Sequence, residues 1–208
     1  MLLARPRAAG QRPSGRAAPA RRDAGARLAR RTEACLLRPR WDAALVRVAY
    51  ERIAERPDLL RRARELASRT IIVDVEPLVA YWDTGQEALD AGIAEILGEI
   101  GGDSHMSVVC FATNSDRRPS ADYGTSGPGG PRVVYLASAH KPFWTAPYRD
   151  FPRPGVVIGD QVATDGILAR RLGYTFLHYS PDLTHAPAGP RLMYDLGRRI
   201  EPLLFRHR

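Results

Sequence analysis

Thr70-Ile71-Ile72-Val73-Asp74 is the stretch whose reading decides the fold. Three consecutive apolar β-formers read as a short strand buried on both faces, as in a parallel sheet. The run ends on a carboxylate. The same pattern repeats downstream. Residues 86–100 predict a helix, with Ala88, Leu89, Ile93, Ile96 and Leu97 on one face, and Gly101-Gly102 as its stop. Residues 107–112 predict a second strand, followed by Thr113-Asn114-Ser115. Residues 116–131, polar and rich in Gly and Pro, predict a loop. Residues 132–136 and 155–158 predict a third and a fourth strand, the latter leading into Gly159-Asp160. A helix at about 164–172, a fifth strand over 174–178 and a last helix over about 191–205 complete the order.

Strands that alternate with helices point to an α/β fold, a doubly wound and mostly parallel sheet with helices on both faces. Upstream of the first strand, residues 41–68 predict helix. Trp41, Ala44, Leu45, Val48 and Ile53 fall near helical spacing. Pro57 breaks that segment, and residues 58–67 predict a second helix with Pro57 near its first turn. Residues 1–34 are Arg, Ala, Pro and Gly with little apolar periodicity, and predict a disordered tail ahead of a single domain over 35–208. Three readings of the tail stay open: a plain solvated extension, an organellar transit peptide, or an arm for nucleic acid or anionic lipid.

Composition removes several function classes. With 44% hydrophobic residues in 208, the chain can build a core and is not wholly disordered. No apolar run approaches the roughly 18–20 residues that span a bilayer, which excludes an integral membrane protein on this reading. Cys35 and Cys110 cannot make a disulfide framework or a four-cysteine zinc site. They read as free thiols of a reducing compartment, hence a cytoplasmic expectation. The formal net charge is +8, but residues 1–40 alone carry 11 arginines against Asp23 and Glu33. The remaining 168 residues are nearly neutral, which does not favour a nucleic-acid partner for the body of the protein. A basic tail could still hold the chain peripherally to an anionic membrane surface.

Of 31 basic residues, 30 are arginine and one is lysine, Lys141. In a chain so biased toward Arg, as GC-rich coding favours, a lysine persists where a compact charge is needed and a planar fork will not serve. Its place in the order gives it meaning. Asp74-Val75-Glu76 follows the first strand, Thr113-Asn114 the second, Lys141 comes next, and Gly159-Asp160-Gln161-Val162-Ala163-Thr164-Asp165 follows the fourth. In open parallel sheets ligands bind outside the carboxyl ends of the strands, so these groups converge on one edge. Acids, one lysine and a hydroxyl around one rim suit a divalent cation and a phosphoryl group. Mg²⁺ commonly takes one or two carboxylates with phosphate oxygens, and a carboxylate can attack phosphorus.

This ordered set resembles the haloacid dehalogenase superfamily of phosphatases, within it the YqeG-like branch of subclass IIIA, related to phosphatidylglycerophosphate phosphatases. The residues that carry the resemblance are Asp74-Val75-Glu76-Pro77-Leu78-Val79-Ala80-Tyr81-Trp82-Asp83, Thr113-Asn114-Ser115, Lys141-Pro142 and Gly159-Asp160-Gln161-Val162-Ala163-Thr164-Asp165-Gly166. It extends to Leu36-Leu37-Arg38-Pro39 and to Arg198-Arg199-Ile200-Glu201. The resemblance implies a Mg²⁺-dependent phosphomonoester hydrolase in which Asp74 is the nucleophile. Asp160 would ligate the metal, with the Glu76 carbonyl beside it and Asp165 supporting the site and orienting Lys141. Thr113 and the backbone N–H of Asn114 would bind phosphoryl oxygens, and Lys141 would neutralise charge between the phosphate and Asp74.

Two positions depart from the family pattern. Glu76 stands where the family has the aspartate that protonates the leaving group, and Leu78 where it has threonine. Pro77 restricts Glu76 to extended conformations, and Asp83 could partly compensate. These departures keep open a second reading, a degenerate domain that binds a phosphorylated ligand or a protein partner. Only 36 residues separate Glu76 from Thr113 and 27 separate Thr113 from Lys141, too few for a folded cap. A capless site suits a large phosphate ester, a lipid headgroup among them. Oligomeric state is not readable. His140 reads either as lining the site or as a solvated loop residue. His105, His178 and His185 lack zinc spacing, Trp82 and Trp144 read as packing residues, and Cys110 as a small hydrophobe.

Overall fold

Residues 70–74 form an interior strand of a six-stranded, all-parallel sheet in the computed structural model of the chain. The structure describes residues 48–100, 104–123, 130–181, 184 and 186–205. In chain order its elements are β1 (Tyr50–Ile53), α1 (Arg56–Glu65), β2 (Thr70–Asp74), α2 (Gln86–Ile100), β3 (Val108–Ala112), β4 (Arg132–Leu136), β5 (Gly155–Gly159), α3 (Ile167–Leu172), β6 (Thr175–Tyr179) and α4 (Ala188–Leu204). A 3₁₀ turn at Ala146–Tyr148 precedes β5, and a π-helical turn at Val162–Gly166 follows it. The sheet order is β1-β6-β5-β2-β3-β4, with every neighbouring pair parallel.

Period-two alternation sends the side chains of each interior strand to opposite faces. Ile71 and Val73 of β2 join Val109, Phe111, Val156 and Ile158 under α1 and α2, which contribute Leu59, Leu60, Leu89, Ile93 and Ile96. Ile72 turns the other way and meets Cys110, Val157 and Phe176, with Leu168 and Leu172 of α3 and Phe205 at the end of α4. Ile71, Val73, Phe111 and Phe176 are fully buried. Each such side chain contributes roughly 1.5–3 kcal/mol of burial free energy. The fold is thus a Rossmann-like α/β layer structure, as the strand reading expects.

The helix expected over the first part of residues 41–68 is corrected. Tyr50–Ile53 is a strand, not a helix, and pairs with β6 from Tyr50↔Phe176 to Ile53↔Tyr179. Tertiary packing overrides the apparent spacing here. Val48 and Tyr50 pack against one core and Ile53 against the other, the two-sided distribution of a strand rather than the one-sided stripe of a helix. Trp41, Ala44 and Leu45, on which the helical spacing rested, lie outside the described residues. So do the tail, Cys35, Leu36-Leu37-Arg38-Pro39, His185 and Gly101-Gly102. The second helix is present as α1, with Pro57 in its first turn. Among the described residues no helix is long and apolar enough to cross a membrane.

From β2 the chain builds β3 and β4 to one side, while β5 and β6 lie to the other. The carboxyl ends of β2 and β5 therefore flank the point where the strand order reverses, the crevice in which open α/β sheets hold ligands.

Candidate active site

β2 ends on Asp74, and β5, its neighbour, is followed at once by Asp160. On the other side Asp74 is level with Ala112, so the next residue of the chain, Thr113, stands at the same rim. The π-helical turn after β5 carries Asp165, and the loop after β4 carries Lys141. Four of the sequence-predicted residues meet directly. Lys141 Nζ lies 2.7 Å from Asp74 Oδ1 and 2.7 Å from Asp165 Oδ1. Carboxylate oxygens of Asp74, Asp160 and Asp165 lie within 4.8 Å of one another. All four residues are buried.

Each position has a local cause. The Lys141 backbone is clamped by Asn114, whose Nδ2 donates to the Lys141 carbonyl at 3.1 Å while its Oδ1 accepts the Lys141 N–H at 2.7 Å. Ser138 and His140 just before it have positive φ, a left-handed conformation uncommon outside glycine, so the chain turns sharply to present Lys141. Asp165 Oδ2 accepts the Gln161 backbone N–H at 3.3 Å. Gly159 leaves room for Asp165, since a Cβ at 159 would sit 2.4 Å from Asp165 Cγ. The Asp160 carbonyl accepts a hydrogen bond from His178 Nε2 at 2.9 Å. The Asp160 side chain is different: both of its carboxylate oxygens are buried without a hydrogen-bond partner among the described residues.

Electrostatics sharpen that observation. Burial, with the charge of Asp165 next, pushes Asp74 well above the ordinary carboxylate range, and Lys141 pulls the other way. Burial and the Asp165 charge push Asp160 up as well. At Lys141 burial opposes the charge, but Asp165 and Asp74 outweigh it and hold the ammonium protonated. Three carboxyl groups stand beside one ammonium in a buried space, so without a further cation burial favours bound protons over charge on Asp74 and Asp160. A buried, unpaired carboxylate is costly, and a divalent cation offsets that cost. The donors are hard oxygens that lie within 4.8 Å of one another, the ligand type Mg²⁺ takes. The residues present therefore fit Mg²⁺.

Glu76 belongs to a separate network. Its Oε2 accepts the Thr113 hydroxyl at 2.6 Å, its Oε1 accepts the Ser115 hydroxyl at 3.1 Å, and Arg117 Nη1 stands 3.5 Å from Oε1. The Thr113 hydroxyl is thus engaged by Glu76, and the Asn114 side chain by Lys141. Leu78, at the family's threonine position, is buried in the core with Val75 and Val79. Asp83 is exposed. His140 is exposed too, 6.2 Å from the Trp144 ring between centroids. Trp144 is 49% exposed, against the expectation of a packing role.

Sequence reasoning missed Ser115 and Arg117 as partners of Glu76. A second hydroxyl two residues after Thr113 was the only signal for the first. Arg117 carried none, since it reaches Glu76 while also donating to the carbonyls of Tyr81 and Thr84, contacts that only folding creates. Comparison with protein-family models, with curated proteins and with solved structures finds no match to this chain.

Proposed function

We propose that this protein is a Mg²⁺-dependent phosphomonoester hydrolase of the haloacid dehalogenase type, acting through an aspartyl-phosphate on Asp74. The observation that carries the reading is the buried cluster of Asp74, Asp160 and Asp165 around Lys141, with the Asp160 oxygens without a hydrogen-bond partner among the described residues. Its order along the chain and its place at the strand-order reversal support the same reading.

In the proposed reaction a substrate phosphoryl group enters the rim beside Asp74. An Asp74 carboxylate oxygen attacks phosphorus, the phosphorus–oxygen ester bond breaks, and the leaving oxygen takes a proton. Glu76 is the acid nearest this role by family position, held by Thr113, Ser115 and Arg117. Water then attacks the acyl phosphate and gives its proton back to the Glu76 carboxylate, releasing phosphate and restoring the Asp74 carboxylate. Lys141, held by Asp74 and Asp165, counters the negative charge that gathers at the phosphoryl oxygens. Asp74, Asp160 and Asp165 would hold Mg²⁺, which supplies charge neutralisation and orientation of the phosphoryl group.

Between Glu76 and Thr113 the described chain holds α2 and β3, and between Thr113 and Lys141 a loop and β4. These intervals leave no room for a folded cap, which suits a large phosphate ester as substrate. A second reading, a domain that binds a phosphorylated ligand without turning it over, draws on the Glu76 carboxylate, which is tied to two hydroxyls and an arginine. Phosphate release from a generic aryl phosphate, with and without Mg²⁺ and beside Asp74→Asn, separates the two. Release that needs both Mg²⁺ and Asp74 supports hydrolysis. Mg²⁺-dependent phosphate binding with no release over a panel of esters supports the second reading.

A further inference from the structure

Among the described residues no other residue holds the Asp160 carboxylate by a hydrogen bond, which leaves its backbone as the part of Asp160 that other residues hold. That backbone is held from behind. His178 Nε2 donates to the Asp160 carbonyl at 2.9 Å. His178 lies on β6 opposite Arg52 of β1, and its Nδ1 is 2.8 Å from the Tyr50 hydroxyl. The Tyr50 hydroxyl is also 2.8 Å from Glu201 Oε1 on α4, and Arg52 Nη2 donates to Glu201 Oε2 at 2.7 Å. His178 and Glu201 are 1% and 4% exposed.

A polar chain through this region is not what packing alone would choose. Tyr50 stacks on Phe205 with centroids 4.6 Å apart, and Phe176 stacks on His178 at 5.5 Å. An apolar side chain of similar shape would fill the same aromatic cluster without the desolvation of a histidine and a glutamate. The chain of contacts instead ends on the carbonyl of one residue, Asp160. The same helix also braces the neighbouring acid. Gly197 of α4 approaches so closely that a Cβ there would stand 3.3 Å from Val162 Cβ and 3.4 Å from the Ala163 nitrogen, in the turn that carries Asp165.

We propose that His178, Tyr50, Glu201 and Arg52 form a positioning relay that fixes the loop of Asp160 for cation binding, so that the edge strand β1 and the terminal helix α4 set the metal affinity of the site. None of the four is placed against a ligand; they act through the Asp160 carbonyl. The inference rests on the Mg²⁺ reading above. Residues that hold a metal ligand's other side commonly change affinity by about 10–100-fold when removed.

The test is Mg²⁺ affinity of the full chain by titration calorimetry, with thermal unfolding in EDTA measured alongside. Tyr50→Phe keeps the ring and its stacking and removes only the bridging hydroxyl; it is expected to weaken Mg²⁺ binding about tenfold. His178→Leu is expected to weaken it at least as much, and His178→Gln, which retains an N–H for the Asp160 carbonyl, to recover most of the loss. Variants that lower Tm but bind Mg²⁺ as the wild type does would overturn the relay and leave the proposed function standing. Wild-type protein that binds no Mg²⁺ would instead overturn the proposed function, and the relay with it. Should His178→Leu not fold, Tyr50→Phe decides alone.

Discussion

The Lys141 ammonium lies 2.7 Å from the Asp74 carboxylate, and both side chains are more than nine-tenths buried. Such a pair is costly to break from one side, because the other charge stays behind in a low-dielectric space. Lys141→Met is expected to destabilise the metal-free protein by about 3–5 kcal/mol at neutral pH, since three carboxylates are then left without their cation. Urea unfolding in EDTA checks this. A loss below about 1 kcal/mol would mean the ammonium is not the partner on which Asp74 and Asp165 depend.

Acidity should act on the same cluster with a definite sign. Burial, ahead of the Asp165 charge, raises Asp74 and Asp160 above the ordinary value of 3.8. The folded chain then binds these protons more readily than the unfolded chain, and unfolding releases them. Their contribution to stability is full below a pH of about 3.8 and is lost as pH rises through the folded-state pKa. Asp160→Asn removes one such group, so in EDTA at neutral pH it is expected to raise Tm above that of the wild type. Mg²⁺ should raise the Tm of the wild type more at neutral pH than at about pH 5, and should not raise that of the variant. Scanning calorimetry reads all three, and an Asp160→Asn Tm no higher than that of the wild type in EDTA would count against a burial cost for the Asp160 carboxylate.

Gly159→Ala probes the steric side of the site. The added Cβ would sit 2.4 Å from Asp165 Cγ, and Asp165 cannot swing away without leaving Lys141. A loss of roughly 1–3 kcal/mol, typical of overpacking, is expected together with weakened Mg²⁺ binding. Full Mg²⁺ affinity in this variant would show that Asp165 need not keep its observed place.

Glu76→Gln keeps the length of the side chain and one oxygen to accept from Thr113 or Ser115, and removes the charge that faces Arg117. If Glu76 supplies the leaving-group proton, turnover should fall about a hundredfold or more with Mg²⁺ affinity unchanged. Equal turnover would assign Glu76 to holding the loop of Thr113 rather than to proton transfer.

Cys110 is fully buried on β3, and burial pushes its thiol up to about 12. In a Cys35→Ser background it is expected to react with thiol reagents only as fast as the protein unfolds. Rapid labelling under native conditions would contradict the packing of β3.

Much of this architecture was legible because interior parallel strands announce themselves. Ile71-Ile72-Val73 and Val156-Val157-Ile158 are apolar on both faces; the first runs straight into Asp74 and the second reaches Asp160 after Gly159. The acids and Lys141 were legible for a related reason, since the carboxyl edge of such a sheet collects whatever follows its strands. Tyr50–Ile53 was not. An edge strand is covered less completely, and Glu51 and Arg52 interrupt its apolar pattern. Its identity depends on pairing with Phe176, Leu177 and His178 far along the chain. The Tyr50–His178–Glu201 contacts were hidden for the same reason: they join three elements through sheet order, which local spacing does not encode. Arg117 was hidden because its partners are two backbone carbonyls and a carboxylate that approach one another only in the folded loop.

The most direct measurement is to trap the covalent intermediate. The protein is turned over on a radiolabelled aryl phosphate with Mg²⁺, quenched in acid, and its peptides are examined for bound label. Label that is sensitive to hydroxylamine, confined to the peptide containing Asp74, dependent on Mg²⁺ and lost in Asp74→Asn is the expected result. Mg²⁺-dependent phosphate release that persists in Asp74→Asn, with no label on that peptide, would contradict Asp74 as the nucleophile.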